Sequence, residues 1–551
     1  MRNLEQSIND KPNEFILNDK QIEKAVSISL LNHPELLFLT FSKDLNYLVL
    51  FSTYLLSTPF SNKSNKKKNF EMLKKLESNV FNELQSNIND LISTLQYLII
   101  MLLIYWQAGK TFKGYLIGGM AERTYKLLYR ENIESLPFLK KELFLRTIWS
   151  YQLITLSLRD ESSNDVKKRL HKFQLPFSNG NDNLTFIKDI DVSTTNDFTS
   201  LLILSSETWL DCLNWISNGG KYYYKEAPWN TSSEWFQLNN KISEIQNNLP
   251  NDNKFSLENI NLSFHNNYNS LYCSFHLTLL ISKIILHREF IPFIPSDNTG
   301  AKGPFDKLPW LNNAPTDWWK NSAKVCFQSA CDVATILQRC RLNDKKYTCN
   351  LFNGFIGLTS GTLLSYIQHF PHYVDHIEDA NIYYNECVEY LKYYKEFLNI
   401  GSYYFKVLEQ NDKIFDLAVE KGISFSIIST MERMKDDLLD IANISVPVNE
   451  ESKEKVESFI QNAKQEQMKG FQFRFQQQLP DQLFPTNEKM GNFANNFTNE
   501  PVNTISSSET EFHKTFNPAL SLNDDTSMSA VEKQLLSEWS QLMNWDISTL
   551  K

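Results

Sequence analysis

Thr94-Leu95-Gln96-Tyr97-Leu98-Ile99-Ile100-Met101-Leu102-Leu103-Ile104-Tyr105-Trp106 is apolar around its whole circumference, and Gly109 follows as a stop. A segment this long with no polar stripe reads as a fully buried helix. Gly118-Gly119-Met120-Ala121-Glu122-Arg123-Thr124-Tyr125-Lys126-Leu127-Leu128 supplies a second helix. Glu142-Leu143-Phe144-Leu145-Arg146-Thr147-Ile148-Trp149-Ser150-Tyr151-Gln152-Leu153 supplies a third. Three buried helices in succession predict an all-α protein.

Composition agrees. The chain has 551 residues but only 16 Gly and 18 Pro, too few for the many tight turns of a sandwich, barrel or dinucleotide fold. With 42% hydrophobic and 13% aromatic residues it can fill a large core. The net charge of −9 is not the electrostatic footprint of a nucleic-acid binder. No basic face is evident, and the one basic run, Lys66-Lys67-Lys68, lies in an Asn/Ser-rich loop. The polar start Met1-Arg2-Asn3-Leu4-Glu5-Gln6 has no signal-peptide core. Leu98–Trp106 is about half a membrane span, and Leu271–Ile294 carries His276, Lys283, His287 and Arg288. A soluble, intracellular protein with no membrane contact is expected. Cys212, Cys273, Cys326, Cys331, Cys340, Cys349 and Cys387 show no Cys-x-x-Cys spacing, so reduced core thiols are expected.

Outward from the three helices, Asn18-Asp19 predicts a helix start, and Pro34 and Pro59 predict boundaries. Residues 1–69 read as N-terminal helices followed by a polar loop, and 70–445 as one large helical domain. Within it, Leu201–Ile216 stops at Gly219-Gly220, and Trp235–Leu249 is amphipathic. Leu271–Phe290 is a second long apolar helix, ended by Pro292 and Pro295. Trp318–Leu337 presents Ala323, Cys326, Ala330, Ala334 and Leu337 as a small-residue face. Phe352–Phe370, Ile377–Phe397 and Lys413–Ile444 complete the set. Residues 446–551 are rich in Asn, Gln and Ser, and such a segment buries too little apolar surface to offset its ordering entropy. A disordered tail is predicted there. Within it Val531, Leu535, Trp539, Leu542 and Met543 share one face of a helix at 528–545, and residues 524–551 carry a net charge of −3 from five carboxylates and two lysines. An acidic segment with an aromatic anchor is the pattern of a partner-binding activation helix.

Catalytic and metal motifs are incomplete. Gly109-Lys110-Thr111 would need a glycine where Ile104 stands to wrap a phosphate. Asp436, Asp437 and Asp440 match the aspartate-rich motif of helical terpene synthases, whose carboxylates hold magnesium. The second ligand set of those enzymes is not matched: Asn523-Asp524 and Ser527 misplace Glu532 by one position. His369, His372, Asp375 and His376 are close in sequence but offer no third ligand beside the His372–His376 pair. No catalytic residue, cofactor or metal ligand is therefore assigned.

The three helices and two later segments together resemble the central regulatory domain of fungal zinc-cluster transcription factors. The matches are Leu95-Gln96 with Leu98 and Tyr105, Gly119-Met120-Ala121 with Leu127-Leu128, and Glu142 with Arg146 and Ile148-Trp149-Ser150. Leu279–Pro292, with His287-Arg288, and Cys326 with Ala330 and Ile336-Leu337 follow in the family's order over roughly 300 residues. The family's basic triplet is reduced to Arg146, and Thr155 stands where it has Asp. The resemblance implies a nuclear regulator of RNA polymerase II transcription whose tail recruits a coactivator. It also implies a possible small-molecule effector or homodimer. The family's six-cysteine, two-zinc DNA reader is missing, so zinc and direct DNA contact are expected only through such a cluster or a partner. The chain is then a fragment or a member without its own reader. A terpene-synthase-type enzyme resting on Asp436, Asp437 and Asp440, or a sensor domain without DNA binding, are the alternatives.

Overall fold

The computed structural model describes residues 17–60, 72, 74, 90–108, 110–130, 135–158, 172–176, 186–217, 220–223, 226–292, 295, 300–304, 308–342, 350–375, 377 and 379–420. These residues form fourteen α-helices and no strand, so the all-α expectation holds. In chain order the helices are α1 (Asp19–Asn32), α2 (Tyr47–Ser57), α3 (Leu91–Gln107), α4 (Thr111–Leu128), α5 (Phe138–Leu158), α6 (Phe198–Ser217) and α7 (Gly220–Tyr223). Then come α8 (Glu234–Asn248), α9 (Leu257–His265), α10 (Asn269–Arg288), α11 (Trp318–Leu342), α12 (Leu351–His369), α13 (Ala380–Phe397) and α14 (Ile400–Glu420).

Polar side chains set seven of the fourteen starts. Asn18 and Gln21 form a reciprocal capping box at α1, the predicted start. Asn46, Asp90, Ser233, Ser256 and Asn350 accept backbone N–H groups that would otherwise be orphaned at the heads of α2, α3, α8, α9 and α12. Asp197 does the same for Thr199 and Ser200 in α6.

Three expectations need correction. α9 is an extra helix between the predicted amphipathic and apolar ones; Ser256 before Leu257 was its signal. Gly220 does not simply end α6: at φ +48° it opens the short helix α7, and a Cβ there would press on Glu289. The helix predicted from Lys413 begins at Ile400, because only Leu398 and Asn399 separate α13 from α14. The stretch 421–444 lies outside the described residues.

α10 is the centre. It packs on α6 and α11 along most of its length and touches α8, α9, α12 and α1. Eighteen of its twenty residues are buried, as an all-round apolar sequence requires. It is long and apolar enough to cross a bilayer by composition, but 89% of that window is buried inside the protein, which is how a core helix passes the same test. The small face of α11 (Ala323, Cys326, Ala330, Ala334 and Leu337) is fully buried and lets α11 approach α10, α12 and α13 closely. Residues of α1 and α2 share one hydrophobic core with α3–α6 and α9–α14. A second, smaller core gathers Trp215, Trp235 and Trp310 with Phe290, flanked by Trp229, Trp318 and Trp319.

The array closes on itself. Asn399 donates from its backbone N–H to the Gln107 carbonyl and from Nδ2 to the Ala108 carbonyl, each at 3.2 Å. The α13–α14 corner thereby satisfies carbonyls at the end of α3 that its own helix leaves open. Beside this contact Phe60 stacks on Phe397 at 5.8 Å, and Gln107 Nε2 meets His33 Nε2 at 2.8 Å.

Two buried histidines tie stability to pH. Burial lowers His276 to about 4 despite its contact with the Asn253 carbonyl, and burial with the Lys283 charge lowers His287 to about 3. Both values lie below the usual ~6.5, so the unfolded chain takes up protons first as pH falls. Their contribution is whole above pH ~6.5 and is lost as pH falls from there toward the folded values. At pH 5 the loss is on the order of 2 kcal/mol per histidine. Thermal melts at pH 7.5 and pH 5 check this: the wild type should lose stability and a His276→Gln/His287→Gln variant should lose much less. Equal losses in both would exclude these groups as the cause.

Candidate functional site

The residues that carry the family resemblance come together as packing contacts around α5. Arg146 Nε donates to Glu142 Oε1 at 2.7 Å, its guanidinium lies over the Phe41 ring at 5.1 Å, and Nη1 reaches Thr40 Oγ1 at 3.2 Å. Glu142 is buried, so this i,i+4 pair is shielded from water and fixes the short 3-10 segment Leu37–Asp44 against α5. One turn on, Ser150 Oγ accepts the Leu37 N–H at 2.8 Å and donates to the Arg146 carbonyl at 2.7 Å. Trp149 is fully buried and its indole donates to the Gln174 carbonyl at 2.8 Å. Gln96 of α3 donates to Thr147 at 2.8 Å, and Gln152 donates to the Tyr125 hydroxyl of α4 at 3.0 Å. Arg146, Trp149 and Ser150 of α5 thus each bind another segment of the same core, and Glu142 holds Arg146 in place.

The second group sits at the C-terminal end of α10. His287 bridges Ser322 of α11 at 2.8 Å and Asn239 of α8 at 3.0 Å. Arg288 is buried and donates from Nη1 to the Ile291 carbonyl, fixing the chain as it leaves the helix. Lys221 donates to the Glu289 carbonyl and the Trp235 indole to the Leu286 carbonyl. Arg288 keeps company with Cys326, Tyr366 and Tyr373, and burial raises the pKa of all three and so keeps them protonated; Cys326 is pushed up to about 12.

These environments bear on chemistry. The six described cysteines are buried thiols, and burial pushes Cys331 to about 12 and Cys387 further up, so neither is the low-pKa thiolate a nucleophile requires. His369 contacts the Ser365 carbonyl and Asp416 at 2.8 Å each, which holds it to α14. Pro371 heads a 3-10 turn, Pro371–Tyr373, that sets His372 apart from α12, and His376 lies outside the described residues. Among the described residues no group of three or more His, Cys, Asp or Glu is placed to hold a metal ion. Lys110 ends up as the N-cap of α4, and Gly109 lies outside the described residues. So do Asp436, Asp437 and Asp440 and the whole candidate partner-binding set, Val531, Leu535, Trp539, Leu542 and Met543.

One surface was not legible in the chain. Leu116, Met120, Arg123 and Leu127 follow each other along the outside of α4, with Leu116 52% and Leu127 48% exposed. Met120 is half-buried against the core and Arg123 is exposed. Around this stripe the segment 110–130 carries five cations, Lys110, Lys113, Arg123, Lys126 and Arg130, and one carboxylate, Glu122, which pairs with Lys126. These cations are interleaved with apolar residues, so they form no basic run in the sequence.

No protein-family model matches the chain, and comparison with curated proteins and with solved structures finds no significant similarity.

Proposed function

We propose that the chain is a nuclear regulator of RNA polymerase II transcription, with the helical body as its regulatory domain and the C-terminal segment as its activation helix. The observation that carries the reading is the ordered set of motif residues from Leu95 to Leu337, which resembles the regulatory domain of fungal zinc-cluster factors. An all-helical body, with Arg146, Trp149, His287 and Cys326 of that set at its internal contacts, is compatible with it. The segment 524–551 recruits a coactivator through Val531, Leu535, Trp539, Leu542 and Met543, and DNA is reached through a zinc cluster or a partner outside this chain.

The test is a reporter assay. Residues 524–551 fused to an unrelated DNA-binding domain should activate transcription, and Trp539→Ala with Leu542→Ala should reduce that activity at least about tenfold. Trp539 stands mid-stripe and offers the largest anchor, on the order of 150–250 Å² for an aromatic side chain. A double variant as active as the wild type would remove the activation helix from the proposal.

A further inference from the structure

The exposed face of α4 sets apolar side chains among cations, and the sequence of residues 528–545 has the pattern of a short acidic amphipathic helix. We infer that Leu116, Met120, Arg123 and Leu127 form the docking site for the chain's own C-terminal segment, residues 528–545. Three observations support this occupant.

The two stripes match in length. Leu116 to Leu127 spans eleven residues of helix and Val531 to Met543 spans twelve, about 17 and 18 Å at the helical rise. Their charges are opposite. Segment 110–130 has a net charge of +4 in a chain whose total is −9, whereas 524–551 has −3. Exposed ion pairs contribute little each, so the cations mainly orient the segment and the apolar stripe holds it. Finally, 110 residues separate Glu420 from Val531, a contour of roughly 360 Å, so every part of the helical body is within reach.

Docking covers the Trp539 face that a coactivator would need. A signal that frees the segment would then expose it, which makes α4 an autoinhibitory surface. That consequence rests on the reading of the tail as an activation helix; the contact itself does not.

Zero-length carbodiimide coupling of the full-length chain tests the contact, because it joins only amines and carboxylates that touch. Amide links should join Lys113 or Lys126 to Glu532, Glu538 or Asp546. A Leu116→Asp/Leu127→Asp variant should lose at least about four-fifths of them with its thermal melt preserved, since both side chains are exposed. Should that variant fail to fold, Trp539→Ala/Leu542→Ala on the tail side must produce the same loss. Links scattered over lysines elsewhere, links that survive both variants, or no links at all would overturn the proposal. Links formed between chains in a mixture of ¹⁴N and ¹⁵N protein would also overturn it, in favour of a second copy on α4. The isolated tail fusion contains no α4, so its reporter activity stands or falls independently of these links.

Discussion

Trp149→Ala is expected to lower the unfolding free energy by about 3–5 kcal/mol, the range for truncating a buried tryptophan. The side chain is fully buried in α5, and its indole reaches the segment 172–176. The substitution also leaves the Gln174 carbonyl without the indole donor that now reaches it at 2.8 Å. Trp149→Phe separates the two losses, because it keeps much of the volume and removes only the donor. It should cost about 1–2 kcal/mol. Denaturant titration followed by the far-ultraviolet helical signal gives both numbers. A loss under about 1 kcal/mol for the alanine variant would mean that α5 is not anchored through this residue.

Gly401→Ala is expected to cost about 3 kcal/mol, the upper end for overpacking. A Cβ at Gly401 would lie 2.6 Å from Tyr394 Cδ1 and, more seriously, 2.7 and 2.8 Å from the Cα and N of Lys395. A side chain can swing away but a helix backbone cannot, so the α13–α14 corner must open. Opening it pulls Asn399 from the Gln107 and Ala108 carbonyls, and the loss spreads to the end of α3. Gly119→Ala in α4 is the matched control. Nothing lies within 4 Å of a Cβ there, and alanine in a helix interior should stabilise by about 0.5–1 kcal/mol. Thermal melts of the two variants should therefore move in opposite directions. A Gly401→Ala melt at or above the wild type would show that the corner tolerates a methyl group.

The helical class, the approximate limits of most helices and the burial of α3, α10 and the small face of α11 were all legible in the chain. The reason is that they are local: apolar periodicity and a capping Asn, Asp or Ser act over a few residues of the same segment. α9 has an equally local signal in its N-cap Ser256, though at nine residues it is too short for its apolar periodicity to stand out. The start of α14 was not legible, because its first turns owe their place to Gly401 fitting against α13. The motif residues Glu142, Arg146 and Trp149 could be recognised by spacing, but not their partners Phe41, Thr40 and Gln174, which are distant in sequence.

Sequence alone, then, determined the all-α class of the described residues; the stripe of five apolar residues in the acidic terminal segment is an expectation for positions outside them. Tertiary structure decided that α13 and α14 close back on the end of α3, and that α4 keeps Leu116 and Leu127 exposed among its cations. Periodicity states that a helix has an apolar side. Which of those side chains are covered depends on segments brought alongside by folding, and no local pattern encodes that neighbour.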